Sequence, residues 1–187
     1  MSAFEYVAVL ASIIIGLALV DILVSLNRLI RAGRAVRWHW AAPAGAVLVT
    51  MTLIQIWWGL YQPEAAPMTI GQFLPILVQL VILFLLAAAA LPDEATPDGF
   101  ELKAYYHRNG PYFWSLFTAA LGWLIVVEGV QAALDGEFAD FFSGRGGDWL
   151  VLAVFVSLIF VRRLWWHAIA FAFLSLGPIG WLSRSLA

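Results

Sequence analysis

The chain has 187 residues, of which 63% are hydrophobic and only 12% charged, and its mean hydropathy is +0.90. A soluble domain carries about 25% charge, and surface-to-volume scaling would leave much of this apolar surface in water, so lipid is the solvent the composition implies. The net charge of −2 gives no strongly basic character that would suggest nucleic acid, and the absence of cysteine excludes disulfides, thiol nucleophiles and thiolate-ligated zinc or clusters.

A helix needs roughly 20 predominantly apolar residues to cross a bilayer. The first such run covers about 4–26, interrupted only by Glu5 near its start and Asp21 near its end, and Arg28, Arg31, Arg34 and Arg37 follow at once. No positive stretch precedes it, so it is expected to persist as a span and not to be removed as a signal peptide. The second run covers about 41–61 and leads into a short turn with Pro63 and Pro67. The third covers about 70–90 and is followed over 92–108 by a polar stretch rich in Asp and Glu. The fourth covers about 112–133, with a Gly- and acid-containing loop over 135–148 behind it. The fifth, about 149–161, is short and ends at Arg162-Arg163, whose side chains can snorkel. The sixth covers about 164–182; the last two runs have the alternative of a re-entrant pair.

The fold class expected is an all-α integral membrane protein, a single domain over 1–187 built as a bundle of about six transmembrane helices. Eight of the ten Lys and Arg fall in the first, third and fifth connections: Arg28, Arg31, Arg34, Arg37, Lys103, Arg108, Arg162 and Arg163. The other side keeps Arg145 and Arg184. The positive-inside rule then puts both termini on the non-cytoplasmic side. The aromatic residues give a second indication, since Trp and Tyr gather at membrane interfaces. Trp38, Trp40, Tyr105, Tyr106, Trp114, Trp165 and Trp166 fall at the expected cytoplasmic level. Trp57, Trp58, Tyr61, Trp149 and Trp181 fall at the outer level, and Trp123 lies mid-span. No internal repeat is evident by eye.

The segments FEYVAVLASIIIGLALVDILVSLNRLIRA, QIWWGL, LPDE and ELKAYYHRNGPYFW carry a resemblance. Together they are similar to an uncharacterised family of small multi-span proteins of the bacterial inner membrane. The resemblance covers most of the chain and implies that inner-membrane setting; it implies no active site.

Ionisable residues inside a span are costly and commonly face the bundle interior, which makes Glu5, Asp21 and Glu128, with the amides Gln55, Gln79 and Gln131, the first residues to consider. At about 100° per residue, Glu5 shares a face with Ser12, Gly16 and Asn27. Thr52, Gln55, Gly59 and Gln62 form a second stripe, Gln72 and Gln79 a third with Pro75 between them, and Glu128, Gln131 and Asp135 a fourth. These stripes predict a polar interior open toward the outer side. A Glu128 buried without a cation would favour its neutral acid form and would suit a proton or cation path. The plainer reading is that the amides and hydroxyls bond neighbouring helices, and that Glu5 sits in the headgroup region beside a helix N-terminus. Asp21 suits a local network with Arg28 or with an arginine of another helix.

His39, His107 and His167 fall in one layer, which raises a metal or haem site, but none has ligand spacing to another. The acidic loop with Asp135, Glu137, Asp140 and Asp148 lacks a calcium-loop pattern. No cofactor and no metal is therefore expected. No nucleophile stands at readable spacing from a base, so catalysis is not expected either.

Two functional classes follow. In the first, the protein moves or gates a small cation or proton, in one version as a homo-oligomer; the polar stripes and Glu128 favour it. In the second, it is a scaffold or sensor subunit whose polar residues join helices. There Arg28, Arg31, Arg34 and Arg37 meet anionic lipid or a cytoplasmic partner. A third option is a lipid or quinone pocket lined by the adjacent Trp57 and Trp58.

Overall fold

A computed structural model of the chain describes residues 3–60, 70–93 and 100–182. Within them the chain forms seven α-helices: α1 (Ala3–Ala32), α2 (Ala41–Gly59), α3 (Ile70–Ala88), α4 (Leu102–Leu134), α5 (Phe138–Gly144), α6 (Gly146–Phe160) and α7 (Leu164–Leu182). Two dipeptide strands, β1 (Val36–Arg37) and β2 (Phe100–Glu101), pair in parallel with Val36 opposite Phe100. Five helices are long and apolar enough to cross a membrane: α1, α2, α3, α4 and α7. The α5–α6 pair meets the same standard only when taken together, across a bend of 63°. Alone, the 15 residues of α6 reach about 22 Å at ~1.5 Å per residue, short of a ~30 Å hydrocarbon core.

Packing follows a closed circuit in which α1 lies on α3, α3 on α4, α4 on α6, α6 on α7, α7 on α2 and α2 on α1, while α2 also presses against α3 and α4. Each helix buries one stripe. In α1 it is Ala11, Ile15, Ala18, Ile22, Ser25 and Leu29, a run of three- and four-residue steps that keeps one face inward. In α2 the stripe is small where it meets α4: Ala42, Gly45, Ala46 and Val49 let the backbones approach closely. A Cβ on Gly45 would stand 3.1 Å from Cζ of Phe113. In α4, Leu102, Tyr106, Gly110, Phe113, Phe117 and Ala120 face in.

The centre is aromatic. Trp114, Phe117, Phe155 of α6 and Phe171 of α7 meet with ring centroids 5.0–5.9 Å apart, and Trp114 is fully buried. Such pairs add about 0.5–1.5 kcal/mol each beyond the area they bury.

Several boundaries differ from expectation. The first helix continues from 26 to Ala32 and the fourth begins at Leu102 instead of 112. Hydropathy reads solvent preference, whereas the helix ends where backbone bonding stops, and at ~1.5 Å per residue the 33 residues of α4 reach about 50 Å. α1 and the 3-10 turn behind it meet at Gly33, whose φ of +53° favours glycine. The expected loop over 135–148 contains α5, because Phe141 packs on Gly129 of α4, where a Cβ would come within 3.2 Å of the ring. Tyr106 and Trp114, expected in an interfacial belt, are core residues.

Candidate functional site

The first, third and last connections meet at one end of the bundle. β1 lies beside β2; Arg28 donates to the Asp93 carbonyl at 2.8 Å, and Ser25 Oγ donates to Asp93 Oδ1 at 3.4 Å. Asp21 is close enough to Asp93 and Arg28 for both charges to act on it. Asn109 Nδ2 donates to the Ala89 carbonyl at 2.7 Å, and the Tyr105 hydroxyl donates to the same oxygen at 3.1 Å, so α4 satisfies a carbonyl at the exit from α3. This end carries eight of the ten Lys and Arg of the chain. The charge shows in His39, which burial first, and then Lys103 and His107, hold below the ordinary imidazole value. Its Nδ1 accepts the Ala41 N–H at 3.4 Å, as a neutral ring can.

Just inside this end lies a buried chain of hydrogen bonds. The Val161 carbonyl can only accept, so His167 Nε2, 2.7 Å away, carries the proton. His167 Nδ1 then accepts the Tyr106 hydroxyl at 2.7 Å, and the Tyr106 oxygen accepts the Trp114 indole N–H at 3.1 Å. The chain has a clear structural consequence. Residues 161–163 break the helix between α6 and α7, and His167 supplies the donor that the freed Val161 carbonyl needs. Trp166 Nε1 donates to Ser157 Oγ at 2.9 Å, a second link across the same break. Tyr106→Phe should strand both His167 Nδ1 and the Trp114 N–H in a buried site. The expected cost is about 1–3 kcal/mol, read as a lower midpoint of thermal unfolding in detergent; an unchanged midpoint would show that the chain contributes nothing to stability.

The opposite end carries a separate cluster. Arg145, at the start of α6, forms an ion pair with Glu128 of α4 and donates from Nη1 to Asp148 Oδ2 at 3.1 Å. Its guanidinium also lies 4.6 Å from the centroid of Phe141. Glu128 is 47% exposed, so the pair contributes no more than about 1 kcal/mol. The condition of a buried Glu128 without a cation is not met. Arg145 supplies one from the start of α6, after the chain turns at Gly136, whose φ is +79°.

The polar stripes do not line a shared interior among the described residues. Ser12 and Asn27 are exposed, while the neighbouring Ala11 and Leu29 face in. Thr52 Oγ1 donates to the Leu48 carbonyl of its own helix, Gln55 is half-buried, and Gly59 is exposed. Gln131 is exposed and donates to Asp135 at 3.4 Å. Gln79 alone of the predicted amides is buried, and neither Nε2 nor Oε1 has a hydrogen-bond partner among the described residues. The physical reason is that hydroxyls satisfied by their own helix need no polar interior, so side-chain volume decides which face turns inward. The side chain of Glu5 and all of Gln62 lie outside the described residues.

Trp57 and Trp58 do not form a closed pocket: they are 46% and 44% exposed. Trp57 Nε1 donates to Ser12 Oγ at 3.0 Å, and Trp58 packs edge-on to Trp181 at 6.3 Å. Both contacts join helices at the end opposite the arginines. Arg28, Arg31, Arg34 and Arg37 are all exposed. His39, His107 and His167 are drawn to the basic end, and no group of three potential ligands among the described residues has metal-holding geometry.

The residues missed from sequence are Tyr106, Trp114 and His167 as one unit. A signal was present: Tyr106, Gly110, Phe113 and Phe117 recur at helical spacing on a helix whose other face is polar at its start. The chain matches no family model, no curated protein and no solved structure, so the resemblance to the inner-membrane family stands on the quoted residues alone.

Proposed function

We propose that the chain is a multi-pass protein of the bacterial inner membrane that acts as a scaffold or sensor subunit through its basic end, neither conducting ions nor catalysing a reaction. In this reading the basic end is cytoplasmic, α1 starts and α7 ends on the other side, and α5–α6 together make the sixth, bent span. Arg28, Arg31, Arg34 and Arg37 meet anionic headgroups or an acidic partner there, each cation near the surface adding about 1 kcal/mol. The observation that carries the reading is the filling of the interior. Leu80, Leu83, Leu86, Trp114, Phe117 and Phe155 occupy it, while the carboxylate candidate Glu128 is exposed and paired.

The competing reading is a small cation or proton channel or transporter, and Gln79 favours it. A buried amide without partners costs about 1–3 kcal/mol, a cost that a water path beside it would relieve. Flux separates the two. Purified protein in proteoliposomes should pass no H⁺ or K⁺ above the protein-free background under either gradient polarity, and Glu128→Gln should behave identically. Flux in the wild type that collapses in Glu128→Gln would overturn the scaffold reading and restore transport.

A further inference from the structure

A shallow crevice of about 10 Å³, room for about one water, opens at the basic end where α4, the end of α6 and the start of α7 come together. Its rim carries Arg162 and His107, its floor is the buried Tyr106–His167 pair, and its wall toward the bundle middle is apolar, with Leu158 and Ile159. Gly110 lies on the α4 side. Neither Arg162 nor His107 forms an ion pair among the described residues, and Arg162 is exposed. The break at 161–163 therefore holds a guanidinium at the mouth without a counter-charge.

The geometry points to the mouth of this crevice as a binding site for the phosphodiester headgroup of one anionic phospholipid, held over the opening against Arg162 and His107. This rests on the proposal that the basic end lies at a membrane surface. Charge complementarity selects the occupant: a planar guanidinium matches two phosphate oxygens, and an imidazole beside it adds a donor. The apolar lining beside the cations selects lipid over a soluble phosphate. Below the two cations its wall is hydrocarbon, with Leu158 and Ile159 offering an acyl chain a surface. Trp165, 58% exposed in the first turn of α7, stands at the depth where indoles mark the interface. Basic crevices between helices on the cytoplasmic side recognise lipid headgroups by this combination of charge and apolar wall. Because the floor is the satisfied Tyr106–His167 pair, the site exists before the lipid arrives. The lipid adds no hydrogen bond that the protein fold requires, so Arg162 can be removed without unfolding the chain.

The test is native mass spectrometry of the purified full chain from mixed micelles holding equal amounts of phosphatidylglycerol and phosphatidylcholine. Wild-type protein should retain one phosphatidylglycerol in preference to phosphatidylcholine. Arg162→Ala should reduce that preference on the order of tenfold, as loss of a charge-assisted contact implies. Arg145→Ala, which removes a cation at the opposite end of the bundle, should keep it. Equal retention in wild type and Arg162→Ala would overturn the proposal, as would the absence of any preference in the wild type. Displacement of the lipid by an equal concentration of inorganic phosphate would also overturn it, assigning the site to free phosphate. Flux measured on the same preparations keeps the two proposals apart: no preference and no flux removes the crevice site and leaves the scaffold reading standing.

Discussion

Trp114→Ala should destabilise the protein more than any other single substitution in the bundle, by about 3–5 kcal/mol. Two losses combine. Trp114 is fully buried among Phe117, Phe155 and Phe171, so truncation opens a void where α4, α6 and α7 meet. A dense interior closes such a void only in part, and the lining residues forfeit their dispersion contacts. The substitution also removes the indole N–H that the Tyr106 oxygen accepts. Trp114→Phe restores most of the volume but not the donor, so it should fall between wild type and alanine, near the Tyr106→Phe variant. Reversible unfolding in mixed micelles titrated with a denaturing detergent reads all three. A Trp114→Ala variant as stable as wild type would mean that the aromatic centre is not the core of the bundle. A Trp114→Phe variant as damaged as alanine would put the weight on the hydrogen bond instead.

The helices were legible because their composition is extreme. Runs of 19 or more residues dominated by Leu, Ile, Val, Ala and Phe admit few alternatives in lipid, where each backbone group must bond within its own segment. Their facing was not legible, for the same reason. In α1 the buried Ile15, Ala18 and Ile22 are chemically like the exposed Ile13, Leu17 and Val20, so hydrophobicity alone carries no direction. Polar residues were then the only markers available, and they misled. Thr50, Thr52, Thr118 and Ser175 each donate to the carbonyl four residues back in their own helix, so they are indifferent to which way they face. Size was the better guide. The small stripe Ala42, Gly45, Ala46 of α2 meets the large stripe of α4, a match of volumes and not of polarity.

The buried polar residues have a different history from the stripes. Ser25, Gln79 and His167 are the buried polar side chains among the described residues, and they lie on three helices. Ser25 ties α1 to Asp93, and His167 ties α7 to Tyr106 and to the helix break. Neither was distinguishable from its neighbours in one dimension, because each acquires its role from a partner more than 60 residues away in the chain. Glu128 was conspicuous for its charge but sits near the end of α4, where a loop arginine reaches it. An ionisable residue in an apolar run identifies a place where pairing is needed; which residue pairs with it depends on the path of the next connection.

The orientation carries the second large effect, and the chain is suited to measuring it because it has no cysteine of its own. Ala104 and Ala139 are both exposed, the first in the opening turn of α4 and the second in α5, beyond the far end of that 33-residue helix. In sealed right-side-out membrane vesicles, an impermeant maleimide should label Ala139→Cys fully and Ala104→Cys only after the membrane is opened. The asymmetry rests on eight cations at one end against Arg145 and Arg184 in the remaining sequence. Replacing Arg28, Arg31, Arg34 and Arg37 together by glutamine leaves four against those two. The first span then loses the local charge that fixes its direction, and a mixed population should result in which Ala104→Cys labels in sealed vesicles. The wild-type and four-glutamine patterns answer different questions. Labelling of wild-type Ala104→Cys in sealed vesicles would invert the orientation and take the Arg162 crevice away from the cytoplasmic leaflet. An unchanged pattern in the four-glutamine chain would keep the orientation but assign it to Lys103, Arg108, Arg162 and Arg163, the cations nearest the α4, α6 and α7 junction.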